Sequence, residues 1–169
     1  MSFTLPNRRF WIKALPALAV AIALGLFFQS RYRVGIDSQS TLSMVNRVFL
    51  VDIKDRTIEK RAAYVFAVRN ASPVYEDGRE LVKHVVGVPG DFVEISSDYD
   101  ITVNGMQVGK GLWHLQDEDS ETVRERFAGS RLLGDDEYWV MGLSEKSFDS
   151  RYFGPVHAEQ IQGRAYGIF

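Results

Sequence analysis

The chain opens with one long apolar block and then changes period. Residues 14–28 are fifteen consecutive positions without a charge, and Phe10, Trp11 and Ile12 extend the block beyond Lys13. At ~1.5 Å per residue, positions 10–28 predict a helix about 28 Å long, close to the roughly 30 Å hydrocarbon core of a bilayer. Lys13 can snorkel to headgroup level from such a helix, and Trp11 falls where interfacial aromatic rings collect. Past Arg33 the pattern turns to short apolar or alternating runs separated by turn residues, the period of two expected of strands. Strands are predicted at 47–53, 63–68, 81–88, 92–95, 101–103, 106–108, 137–141 and 163–169. Asn104-Gly105 supplies the two positive φ angles of a two-residue hairpin turn, and Val88-Pro89-Gly90-Asp91 is a second tight turn between strands. Residues 110–136 are polar and read as an exposed loop with one helical turn.

These elements define a mainly β fold preceded by one N-terminal transmembrane helix. The division is a tail and anchor over residues 1–33, and a β-rich domain over 34–169. Arg8, Arg9 and Lys13 precede the apolar run, and Arg31 and Arg33 follow it ahead of a long domain, whose translocation depends little on charge. The expected topology is single-pass, with the N-terminus in the cytoplasm and the domain outside. The competing reading is a cleavable secretory signal, cut near Ala17-Leu18-Ala19 or Ala21-Ile22-Ala23. Both sites fall inside the apolar run rather than after it, which favours an uncleaved anchor.

Composition narrows the chemistry. With 169 residues, 46% hydrophobic, there is enough apolar side chain for one domain with its own core. The net charge of −2 arises from mixed signs rather than blocks, which leaves no electrostatic footprint for nucleic acid. Cysteine is absent, excluding disulfides, thiolate zinc sites and a cysteine nucleophile. His84, His114 and His157 lack triad spacing and read as structural, and no motif for a metal or cofactor is present. The acidic run Asp117, Glu118 and Asp119 reads as a solvated face.

Two segments remain. One is the serine-rich stretch Asp37-Ser38-Gln39-Ser40-Thr41-Leu42-Ser43-Met44, which on its own reads as a polar linker. The other is Lys83, in an apolar strand where alternation puts it on the face of Leu81 and Val85. A free lysine, with its pKa near ~10.4, is protonated at neutral pH and cannot act as a base. Lowering that value to about 7 takes roughly 4 to 5 kcal/mol, which desolvation in an apolar strand can supply. Most strand lysines instead snorkel from an edge.

Three blocks in order resemble the type I signal peptidase family and its relatives encoded on conjugative plasmids. Thr41-Leu42-Ser43-Met44 looks like the family's nucleophile motif. Val82-Lys83-His84-Val85-Val86-Gly87-Val88-Pro89-Gly90-Asp91 is similar to the block that carries its basic lysine. The segment from Met141 through Ser147-Phe148-Asp149-Ser150-Arg151-Tyr152-Phe153-Gly154 to Val156 looks like its C-terminal block. Val45 and Asn46 stand where the family usually has proline, and Leu143 stands where many members have aspartate.

The resemblance implies a β-barrel or sheet catalytic domain on the outer face of a bacterial inner membrane, working without a cofactor. It implies Ser43 as nucleophile, Lys83 as general base and Thr41 as an oxyanion donor. Ser147 is implied to hydrogen-bond the lysine, with Asp149 and Arg151 as a supporting ion pair. The implied substrates are membrane-associated precursors with small residues before the cut. A conjugative peptidase that matures or cyclises a pilin is the alternative within the family, favoured modestly by the short chain. From another class, an inactive anchored scaffold remains open, as does a self-cleaving regulatory protease.

Overall fold

The computed structural model describes residues 7–37, 43–115 and 120–169. Helix α1 (Arg8–Arg31) starts where the Asn7 side chain accepts from the Phe10 N–H at 3.0 Å, and none of its residues is buried in the protein. Its apolar surface therefore has no protein partner. Among the described residues it is the only helix long and apolar enough to cross a membrane. It runs past the predicted end at 28, through Gln29, Ser30 and Arg31, because strand β1 (Tyr32–Ile36) follows without a linker.

The other strands are β2 (Val48–Asp52), β3 (Ala63–Ala67), β4 (Glu80–Gly87), β5 (Phe92–Ile95), β6 (Asp100–Val103), β7 (Met106–Lys110), β8 (Gly129–Leu132), β9 (Glu137–Met141), β10 (Val156–His157) and β11 (Ile161–Gly167). A seven-stranded sheet has the order β1-β2-β11-β3-β4-β9-β10, and a four-stranded sheet the order β7-β6-β5-β8. Every pairing is antiparallel. The fold is mainly β, as the alternation predicts, and the predicted strands recur with ends displaced by two residues or fewer. At the tip of the β6–β7 hairpin, Asn104 and Gly105 both take positive φ, 51° and 77°.

Three apolar clusters form the core. Tyr64, Phe66, Leu81, Val85 and Val140 pack on one side of the large sheet. Val93, Ile101, Leu133, Trp139 and Met141 fill the space between the two sheets. Met44, Phe49, Val51, Val65 and Ala165 form the third cluster. Strand β4 is central to this arrangement, because β3 and β9 cover both of its edges.

The reading of 110–136 as a loop with one helical turn needs correction. The segment holds the end of β7, a 3-10 turn at Trp113–Leu115, helix α2 (Ser120–Phe127) and strand β8. Strand β8 is exposed at all four positions and exists through its ladder to β5, so it shows no alternation to read. Helix α2 buries Val123, and only Phe127 four residues later repeats the apolar signal. Strand β1 and the short helix α3 (Ser150–Phe153) were also not legible. Both are made by long-range pairing and by capping, not by apolar pattern. The acidic run Asp117 to Asp119 lies outside the described residues.

Candidate active site

Strand β4 carries Lys83 at its centre, opposite Tyr64 of β3. Its alternation leaves Leu81, Lys83 and Val85 buried and Val82, His84 and Val86 half-buried, so the ammonium sits in a face otherwise used for the core. Lys83 is 1% exposed. Burial pushes its amine down to about 8, with the Asp149 and Asp37 carboxylates acting against that shift and Arg151 acting with it.

Ser43 reaches this amine from the segment before β2. Its Oγ and Lys83 Nζ are hydrogen-bonded at 2.5 Å, both buried, although 40 residues separate them in the chain. The backbone around Ser43 is tied on two sides. The Met44 side chain is buried in the third cluster, and the Ser43 carbonyl accepts from the Leu143 N–H at 2.8 Å. Where the family usually has proline, Val45 points to solvent and the Asn46 side chain lies against Gly167.

The C-terminal block closes the other side. Asp149 caps α3, accepts from the Gly142 N–H at 3.0 Å, and binds Arg151 through two hydrogen bonds of 2.7 and 2.8 Å. Both side chains of this pair are essentially unexposed, unlike an ordinary surface salt bridge. Arg151 also donates to the carbonyls of Lys110, Gly111, Glu145, Ser144 and Ser147, which holds the 144–147 turn against the end of β7. These bonds fix the shape of the wall beside Lys83.

Ser147 departs from expectation. Its hydroxyl is fully buried but has no hydrogen-bond partner, so the implied bond to Lys83 is not made. The Lys83 amine is turned to Ser43 instead. Thr41, like Ser38 and Ser40, lies outside the described residues. None of the histidines joins the site, since their ring nitrogens engage the Arg61 carbonyl, the Lys146 carbonyl and Asp136. Among the described residues no three His, Asp or Glu side chains gather to hold a metal ion.

Two residues of the site escaped the sequence reading. Asp37 faces a cleft of about 110 Å³ that it shares with Gly35, Ile36, Leu81, Ser43 and Lys83. Gly142 is the closest approach in the site, because a methyl group there would overlap the Ser147 side chain and sit 2.7 Å from the Ser43 carbonyl oxygen. Its only sequence signal is a glycine directly after an apolar strand. Gly142→Ala is expected to displace Ser43 or the 144–147 turn and to lower kcat/KM by roughly 100-fold, the scale of a 1 Å misplacement of a reacting group. Peptide kinetics and a thermal melt check this together, and wild-type kinetics in the variant would show that the contact does not shape the site.

Comparison with known proteins agrees with this geometry. Residues 8–169 match the family described as signal peptidase, peptidase S26. The chain is 26% identical over 173 residues to a probable signal peptidase I-2 of Synechocystis sp., covering 97% of this chain and 75% of that protein. It is 29% identical over 179 residues to signal peptidase I V of Bacillus subtilis, covering 93% of this chain and 96% of the relative. Among solved structures, the crystal structure of a signal peptidase I from Enterococcus faecalis aligns at 22% identity. That alignment has a TM-score of 0.38 and covers 63% of this chain and 94% of the other.

Proposed function

The chain belongs to the signal peptidase family, peptidase S26, and on that footing we propose that it is a membrane-anchored serine endopeptidase removing signal peptides from exported precursors with a Ser43/Lys83 dyad. The observation that carries this reading is the 2.5 Å hydrogen bond between a buried hydroxyl and a buried amine. The α1 helix is the anchor, with its N-terminus in the cytoplasm and the β domain outside.

Neutral Lys83 takes the proton of the Ser43 hydroxyl as Oγ attacks the scissile carbonyl carbon. The resulting ammonium returns that proton to the departing amine, leaving an ester on Ser43. Water then attacks the ester carbonyl while Lys83 takes its proton, and Ser43 Oγ leaves and is reprotonated. The Ser43 N–H, with the Thr41 hydroxyl, stabilises the oxyanion, and one such donor is typically worth ~3 kcal/mol in the barrier. Ser147 has a distinct part in this cycle. Its partnerless buried hydroxyl is available to receive the Lys83 amine once Ser43 Oγ has turned to the substrate.

The cleft supports a preference for small side chains. It is narrow, and Ile36, Val65, Leu81 and Val82 contribute apolar walls. An extended peptide can enter between β1 and β4 as an added strand, placing alternate side chains in the cleft. Arg33 on β1 and Glu80 on β4 approach to 4.0 Å, which marks how close these strands lie.

The test is to incubate detergent-solubilised protein with a precursor bearing an Ala-x-Ala site and to identify products by mass spectrometry. Cleavage after the second alanine is expected. A product joined end to end would be one water lighter and would assign the pilin-cyclising activity, whereas no cut in any precursor would favour the inactive scaffold. The pH profile is a further prediction. Because only neutral lysine accepts the proton, kcat/KM should rise about tenfold per pH unit below about 8 and level off above it. A profile flat from pH 6 to 9 would rule out Lys83 as the base.

A further inference from the structure

The junction between α1 and β1 has no slack. Helix ends at Arg31 and strand begins at Tyr32, whose N–H still donates to the Phe28 carbonyl of the last helical turn. The Arg31 carbonyl accepts from the Ile53 N–H at 3.0 Å. The Arg31 guanidinium donates through Nε and Nη2 to Asp52 Oδ2, at 2.9 and 2.7 Å. Asp52 is itself immobilised, since its Oδ1 accepts from the N–H groups of Lys54 and Asp55. Helix and sheet are thus bolted together at one carboxylate.

The sheet beyond that bolt shows an unusual face. Strand register sets Val34, Leu50 and Tyr166 side by side in one cross-strand row. A second row on the same face holds Ile36 and Val48, with Ile168 beside Val48 through the Ile168 N–H to Val48 carbonyl bond. Val34 and Ile36 are 64% and 72% exposed, and Tyr166, Ile168 and the terminal Phe169 are exposed as well. A contiguous apolar face of this kind marks an interaction surface. At ~3.3 Å per strand residue, Val34 lies about 10 Å and Ile36 about 17 Å along the chain from the helix end. Because the helix runs into this strand without a linker, the bilayer is the partner within reach.

We propose that Arg31 and Asp52 form a clasp that locks the membrane helix to the sheet and seats the apolar face of β1, β2 and β11 on the bilayer surface. Ile36 belongs both to that face and to the cleft, so the seating holds the cleft at the height where a membrane-inserted precursor emerges. The clasp is a positioning device. This last step rests on the peptidase reading, whereas the seating itself does not.

The absence of cysteine makes the test direct. Single-cysteine variants of the full chain, Val34→Cys and Ile168→Cys, are labelled with a fluorophore and reconstituted into phosphatidylcholine vesicles with brominated acyl chains. Met106→Cys and Leu132→Cys, on exposed positions of the second sheet, serve as controls. Quenching at least threefold stronger at 34 and 168 than at 106 and 132 is expected, and Asp52→Asn should remove half or more of it. Equal quenching at all four positions overturns the seating. A blue shift at 34 and 168 without quenching also overturns it, and would assign the face to a second copy of the chain.

Activity provides the second arm. Asp52→Asn should cut a short soluble peptide within twofold of wild type but a vesicle-embedded precursor at least fivefold more slowly. Equal loss on both substrates overturns the clasp as a positioning device. Quenching needs no catalysis, so strong quenching in a protein that cuts nothing would sink the peptidase reading and keep the docking surface.

Discussion

Ser43→Ala and Lys83→Met are each expected to lower kcat/KM for precursor cleavage by at least ~10⁴-fold, and the double variant should be no worse than either single one. Members of a nucleophile–base pair act as a unit, so removing one already forfeits what both supply. The Ser43 hydroxyl and the Lys83 amine share one 2.5 Å hydrogen bond and have no histidine nearby to substitute. Cleavage persisting in Ser43→Ala would transfer the nucleophile to another serine.

Lys83→Met carries a second expectation of opposite sign, on stability. The amine titrates at about 8 in the folded protein against an ordinary 10.5, so the unfolded chain binds the proton more tightly. Below about pH 8 the folded state therefore bears the full cost of the buried ammonium, roughly 3 kcal/mol at ~1.36 per unit. That cost shrinks as pH rises from about 8 and is gone above about 10.5. The methionine variant should thus melt several degrees higher than wild type at pH 7, with the gain fading at alkaline pH. A variant that melts lower at pH 7 would mean that the ammonium is compensated by its surroundings.

The largest structural effect is expected from Arg151→Met. The substitution removes both bonds to Asp149 and five bonds to backbone carbonyls, and leaves the Asp149 carboxylate buried without its cation. Breaking a buried pair from one side typically costs ~3–5 kcal/mol, because the remaining charge is stranded. Thermal unfolding should show a drop of at least ten degrees or no folded protein at all. Adding Asp149→Asn should restore part of the loss, since it neutralises the stranded charge while keeping an acceptor for the Gly142 N–H. If the single variant melts within two degrees of wild type, the pair is not what holds the 144–147 turn.

Much of the frame was legible from local pattern. The period of two located β2 to β7, β9 and β11, because strands buried on at least one face must alternate or run apolar. Strand β8 left no such trace, since its four residues are exposed and its order comes from the partner strand. Strand β1 was hidden for the same reason, and its Val34 and Ile36 face outward instead of into a core. Gly142 and Asp37 could not be singled out, because nothing in a single residue announces what other segments will be brought against it.

By itself, the sequence determined the membrane-length apolar helix, the mainly β domain, the Asn104-Gly105 turn, and the buried face of β4 on which Lys83 stands. Each of these follows from residues close together in the chain, through side-chain period and backbone preference. Only the tertiary structure decided that Ser43 meets Lys83 across 40 residues, that Ser147 is left without a partner, and that Asp149 and Arg151 are buried rather than exposed. It also decided that Arg31 closes on Asp52 beneath an apolar sheet face. Those outcomes depend on strand order and register, which are set by the simultaneous packing of distant segments and are carried by no short stretch of sequence.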